Sequence, residues 1–166
     1  MIGALKEIDR EGWKRLDIDD PESIADHSFR AAFMALLIAE KFDLDGFKLV
    51  KLLLVHDLAE SEIGDITPQD PISEEKKLIK EEEAIQKISS FSKGDLNITE
   101  LWKEFEYGYS KEAVIARDID RLERILQAIE YGKEYPQKDL SEFLIEGKEK
   151  LESAEIKDFL EQLQIE

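Results

Sequence analysis

Apolar residues return every three to four positions along almost the whole chain, the period of a helix buried on one side. Alternating β-branched runs are few, and only four prolines and eight glycines punctuate 166 residues. Strands have little room in such a pattern. The expected fold is all-α: a single domain, a helical bundle around one core.

The spacing predicts a short helix over 2–10. A long helix opens at "DDPESIADH", where Ser23 and Asp26 have the spacing of a capping box and Pro21 suits a helix start. It continues through "SFRAAFMALLIAEKF", apolar nearly all round apart from Arg30, and so belongs in the middle of a bundle. Asp45 can cap a third helix, "GFKLVKLLLVHDLAESE", which Gly64 ends. "GDITPQDPI" holds two prolines and reads as a loop. Ser73 opens "EEKKLIKEEEAIQKISSF", with Leu78, Ile85 and Ile88 inward. Thr99 can cap "ELWKEFEYGY", where Trp102 is expected in the core. Ser110 opens "KEAVIARDIDRLERILQAIEY", which Gly132 closes, and a last helix is expected over about 141–163. No internal repeat, low-complexity tract or interdomain linker breaks the pattern.

Charge narrows the function. Acids outnumber bases 40 to 23, a formal net charge of −17. Such a field repels a phosphate backbone, so a nucleic-acid duplex is not an expected partner. A small anion can bind only where a metal or a local basic cluster reverses the sign. Cysteine is absent, which excludes disulfides and thiolate chemistry. Any metal site must then use His, Asp and Glu, a donor set that favours Mn, Co, Fe, Mg or catalytic Zn over structural zinc. The longest apolar run, Ala31 to Ala39, is too short to span a bilayer, and the charged start "MIGALKEIDREGW" is no signal peptide. A soluble cytoplasmic protein is expected.

The stretch "LLLVHDLAESEIGDI", 52–66, turns from buried helix to acids within a few residues. On a helix, His56, Asp57 and Glu60 fall on one arc of about 100°, a plausible ligand and base cluster for a divalent cation. The only other histidine, His27, lies early in the other central helix. Singly, each histidine reads as a surface or satisfied core residue. Near the end of the pattern, Val114, Ile115, Ile119, Leu122, Ile125, Leu126 and Ile129 define an apolar face. Asp118 projects into that face, and Asp120 points nearly opposite, so periodicity alone nominates Asp118 as the buried aspartate.

Order and spacing carry more than any single residue. His27, then His56-Asp57 about thirty residues later, then an aspartate in "ARDIDRLERILQA" resembles the HD-domain metal-dependent phosphohydrolases. "GW" at 12–13, "PESIADH" at 21–27, "LVHDLAE" at 54–60, "GDITP" at 64–68, "KEEEA" at 80–84 and "RDIDRLERILQAIEY" at 117–131 look like the 5'-deoxynucleotidase branch of that superfamily. The likeness runs from about residue 5 to 132.

That resemblance implies hydrolysis of deoxyribonucleoside 5'-monophosphates to deoxynucleoside and phosphate. It implies a divalent cation, Mn or Co with Mg, Zn or Fe as alternatives, and a homodimer. Carried over residue by residue, His27, His56, Asp57 and Asp120 become metal ligands; the family's basic-x-x-Asp spacing, Arg117 to Asp120, selects Asp120 over Asp118. Glu60 becomes the catalytic carboxylate, and Asp65 faces it across the site, contacting substrate or a second metal. Trp13 falls near the sugar. Gly12 stands where some relatives have arginine, a charge that Arg15 can replace, and Lys77 matches a family lysine. Two other readings compete: an HD-domain phosphohydrolase of another nucleotide or small phosphate ester, and a helical binding module with a structural metal site. The second has no need of Glu60.

Overall fold

A computed structural model describes residues 1–92 and 96–163. A 3-10 turn at Ile2–Lys6 precedes α1 (Glu11–Lys14), α2 (Ile24–Phe42), α3 (Gly46–Val55), α4 (Glu60–Ile63) and α5 (Glu74–Ser89). After these come α6 (Ile98–Tyr107), α7 (Lys111–Glu134), α8 (Ser141–Glu149) and α9 (Ala154–Gln162). The chain is an all-α bundle; among the described residues the only β pairing is an isolated bridge between Asp9 and Ser23.

The α2–α3 hairpin and α7 form the spine. Small residues let the helices approach: a Cβ on Gly46 would stand 2.9 Å from the Ala39 Cβ, and Ala31, Ala35, Ala113 and Ala116 are fully buried. Ile38, Leu49, Leu52, Leu53, Ile119 and Leu122 fill the space between them. A second cluster joins the N-terminal turn, α5 and α6 through Leu5, Ile85, Ile88 and Trp102. These apolar contacts carry most of the stabilisation, and they leave the polar end of α3 pointing into a cleft.

The expected caps at Ser23, Asp45, Ser73 and Ser110 are in place. Ser23 and Asp26 form a reciprocal capping box, while Asp45, Ser73 and Ser110 accept the N–H groups of Lys48, Lys76 and Ala113.

Other boundaries differ for local reasons. The first helix stops at Lys6, and residues 8–10 run extended alongside 22–24, with Ile24 N–H donating to Ile8 O and Arg10 N–H to Glu22 O. The third helix breaks after Val55: the His56 imidazole Nδ1 donates to Leu53 O at 2.6 Å, taking the carbonyl that a continuing helix would use. Residues 58–62 then close tighter i→i+3 bonds before Gly64, at φ 78°, turns the chain away. Asn97 rather than Thr99 occupies the N-cap of α6. Gly132 does not close α7, which runs on to Glu134 and ends where Tyr135 leaves helical angles before Pro136. The single C-terminal helix is two, split at 150–153 by the grip of Asp118 on the backbone N–H groups of Glu152 and Ser153. Nor is α2 enclosed all round: Phe29, Phe33 and Leu37 stand half or more exposed. No helix among the described residues is long and apolar enough to cross a membrane.

Candidate metal centre and cleft

The break after Val55 brings His56 and Asp57 against His27 from the first turns of α2. Their ligand atoms lie within 4.8 Å of one another. His27 Nε2 is 3.3 Å from His56 Nε2, and Asp57 Oδ2 is 3.0 Å from His56 Nε2. From α7, Asp120 Oδ1 reaches within 3.1 Å of His27 Nε2 and 4.0 Å of His56 Nε2. Asp118 is elsewhere, buried against residues 152–153.

The ring protons follow from the acceptors. His56 Nδ1 meets a carbonyl and His27 Nδ1 meets the Glu123 carboxylate, so both Nδ1 atoms donate, and each Nε2 is the nitrogen left to face a proton or a cation. Two Nε2 atoms and two carboxylate oxygens at 3–4 Å repel unless positive charge, a proton or a cation, lies among them. Two imidazoles and two carboxylates suit a divalent cation, and the chain has a site built for one. Burial and then Arg10 act to lower the His27 pKa, yet Glu123 and Asp120 carry it up to about 9. Burial alone would raise Asp57 and Asp120; His56, Arg10 and His27 hold the first well below the usual carboxylate range, and Arg124, His27 and His56 the second.

Asp57 and Asp120 of the cluster line a cleft of about 430 Å³. Glu60 opens α4 beside it, buried, with Oε2 lacking any hydrogen-bond partner among the described residues. Burial, then the Asp57 and Asp65 charges, push the Glu60 pKa well up, against Arg10 and Lys77. Asp65 faces the same cleft and accepts the Glu11 N–H at 2.7 Å, fastening α1 over it. Trp13 is buried at 1% exposure, its indole N–H donating to Glu22 at 2.9 Å and its ring stacked on Phe143 at 4.3 Å. Arg15 sits on the rim and points to Gln69 and Asp70, while Lys77 lies 3.7 Å from Glu81. A larger hollow of about 880 Å³ between α7, α8 and α9 has an apolar floor, lysines and no histidine.

Residues 2–163 match the HD domain family. Over 162 residues the chain is 38% identical to 5'-deoxynucleotidase HDDC2 of Dictyostelium discoideum, a match spanning 92% of this chain and 82% of that protein. The chain belongs to the HD-domain superfamily, in its 5'-deoxynucleotidase branch. The human HDDC2 is 42% identical over 133 residues, 79% of this HD-domain chain and 65% of the human one. A solved structure of a conserved hypothetical protein from Pyrococcus furiosus superposes with a TM-score of 0.81 at 33% identity, covering 98% of this chain and 95% of that one. A Pyrococcus horikoshii structure does so at 34% identity with the same TM-score, covering 98% and 91%.

Three residues of this HD-domain site escape a linear reading. Arg10 enters because residues 8–10 are extended; its Nη1 lies 3.3 Å from Asp57 Oδ2. Burial opposes its charge, but Asp57, Asp120, Glu60 and Asp65 keep it firmly cationic. Phe143 comes from α8, outside the blocks that carry the family resemblance, and a Cβ on Gly12 would meet its ring at 3.4 Å. The space beside Gly12 is filled by that ring. Glu123 is wholly buried one turn beyond Asp120; a charged residue three positions from a candidate ligand was the one signal available for it.

Proposed function

We propose that this chain is a metal-dependent 5'-deoxynucleotidase, hydrolysing deoxyribonucleoside 5'-monophosphates to deoxynucleoside and phosphate. The observation that carries the reading is the convergence of two imidazole Nε2 atoms and two carboxylates beside the unpartnered oxygen of Glu60. His27, His56, Asp57 and Asp120 would hold the cation, Mn or Co by the mixed nitrogen and oxygen donors, with Mg, Zn and Fe as alternatives. When bound, such an ion neutralises phosphoryl oxygens and makes a coordinated water acidic enough to attack at neutral pH.

The chain's own groups do the rest. Glu60 Oε2 takes the proton of the attacking water, and its upward pKa suits a group that must also give a proton back. The P–O5' bond breaks as the new P–O bond forms, and the 5'-oxygen leaves with the proton that Glu60 took from the water. Arg10 lines the cleft and offers guanidinium donors to the phosphate, a position better placed than the rim residue Arg15. Lys77 adds a second positive charge on the cleft wall. The Trp13–Phe143 stack closes the side proposed to face the sugar, where a flat wall discriminates against a 2'-hydroxyl by shape. A purely structural metal site gives no account of Glu60.

The proposed setting is the cytoplasm, and the proposed partner is a second copy of this chain. Phe29, Phe33 and Leu37 on α2 and Phe47 and Leu54 on α3 form two exposed apolar stripes. No acid occurs from His27 to Ala39 or from Gly46 to His56, in a chain whose net charge of −17 repels a copy of itself elsewhere.

The deciding experiment is phosphate release from all deoxy- and ribonucleoside monophosphates with Mn, Co, Mg and Zn, before and after chelation. Release from deoxynucleotides that chelation abolishes and Mn or Co restores is expected. Equal kcat/KM for dAMP and AMP, or full activity without metal, would overturn the proposal.

A further inference from the structure

The two histidines of the centre are held by unlike partners. His56 Nδ1 donates to a neutral carbonyl, Leu53 O. His27 Nδ1 faces a carboxylate instead, Glu123 Oε2 at 2.5 Å, and both side chains have no solvent exposure. Asp120 and Glu123 lie one turn apart on α7. One carboxylate therefore meets Nε2 of His27 at 3.1 Å and the other meets Nδ1, so a single helix grips the ring at both nitrogens.

Glu123 is in turn anchored. Its Oε1 accepts from Arg30 Nε at 2.7 Å and lies 2.6 Å from Arg30 Nη2. The same guanidinium binds Gln127 Oε1 at 2.6 Å and Glu130 Oε2 at 2.7 Å. The carboxylate is thus clasped between the His27 ring and the Arg30 guanidinium, a fixed positive charge on its other oxygen. A neutral acceptor would suffice to fix the tautomer, as the Leu53 carbonyl does for His56. A buried charge carries a desolvation penalty that a carbonyl does not, and the fold supplies Arg30 to offset it. The charge itself therefore has a use beyond geometry.

We propose that Glu123 is a positioning residue of the metal centre, locking His27 in its Nδ1–H tautomer and, through its negative charge, strengthening His27 Nε2 as a donor to the cation. The inference rests on the metal-dependent reading above. Arg30 holds the carboxylate in place from the far side. His27 is then the stronger and His56 the weaker of the two imidazole donors.

Glu123→Gln tests it, keeping an acceptor of the same size while removing the charge. Cobalt(II) titration by calorimetry, followed also by the visible cobalt spectrum, should show affinity about 10–100-fold weaker and a displaced absorption band. The metal-free variant should still fold and unfold cooperatively, at a Tm lowered by the lost Arg30 ion pair. Wild-type affinity and spectrum in a folded Glu123→Gln would overturn the inference, and so would an affinity loss matched by collapse of the metal-free fold, which marks a packing role. A measurement on the wild type needs no variant. The chain has two histidines, and nitrogen-15 NMR of the zinc-loaded protein should show both rings protonated at Nδ1, one of them far downfield. A ring protonated at Nε2 refutes the assignment. Failure of the underlying metal reading looks different: the wild type itself would bind no cobalt.

Discussion

Asp118→Ala should loosen the C-terminal helices while leaving the metal centre loaded. Asp118 is wholly buried and accepts four donors: Arg121 Nη1 at 2.7 Å, Glu152 N–H at 2.9 Å, Ser153 N–H at 2.6 Å and Ser153 Oγ at 2.7 Å. Hydrogen bonds to a charged acceptor contribute about 1.5–3 kcal/mol each, so the four sum to an upper bound of about 6–12 kcal/mol. Two facts reduce that figure. Glu152 is exposed and lets water reach its freed N–H, and Arg121 keeps its contact with Glu152 at 3.2 Å. The loss expected for one partner of a buried ion pair, about 3–5 kcal/mol, is then the better value. For a chain of this size it corresponds to a fall in Tm of roughly 10 °C. Urea unfolding and calorimetry read the loss, amide exchange across 153–162 tells local undocking of α9 from global unfolding, and cobalt titration reads the site. Stability within about 0.5 kcal/mol of wild type refutes the capping role. Normal stability with lost metal binding would mean that the wrong aspartate faces the cation.

Glu60→Ala should keep metal affinity and lose about 10²-fold or more in kcat; turnover close to wild type would remove Glu60 from the chemistry. Burial comes first in raising the Glu81 pKa to about 7 from its ordinary 4.5; Lys77 opposes it, while Glu106 and Asp57 add to it. The fold thus favours protonated Glu81, and the stability so gained is full below pH 4.5 and lost as pH rises through 7. In chelator, Glu81→Gln should be the more stable protein at pH 8 and no better at pH 4. The limit is about 3 kcal/mol, and solvent at this partly open side chain lowers the expectation to about 1 kcal/mol; an equal difference at both pH values refutes the shift. Phe33→Glu should convert a dimer to a monomer in sedimentation, and a wild type already monomeric at high concentration contradicts the proposed α2–α3 interface.

Much of this was legible in the sequence because local chemistry and tertiary context agree there. Ser23, Asp45, Ser73 and Ser110 cap helices whose apolar faces point the same way. His27, His56, Asp57 and Asp120 lie together as the family resemblance implies, where periodicity alone favoured Asp118. What was hidden depends on side chains acting on distant or competing backbone. The break at His56 exists because an imidazole takes a main-chain carbonyl. The split at 150–153 exists because Asp118, more than thirty residues earlier, holds two N–H groups of that segment. Arg10 reaches the cleft only through an extended pairing beside residues 22–24, which helical periodicity has no means to announce.

Within six residues α7 serves three separate neighbours: Asp118 the C-terminal helices, Asp120 the histidine pair and Glu123 the far side of His27. A helix advances about 100° per residue, so one residue inserted or deleted ahead of Asp118 would swing all three carboxylates out of register together. No rotamer change restores three bearings at once. The connection between α7 and α8, by contrast, carries no cleft residue and can absorb added length. Insertion scanning should therefore find α7 the least forgiving stretch of this chain, a vernier whose graduations cannot be moved singly.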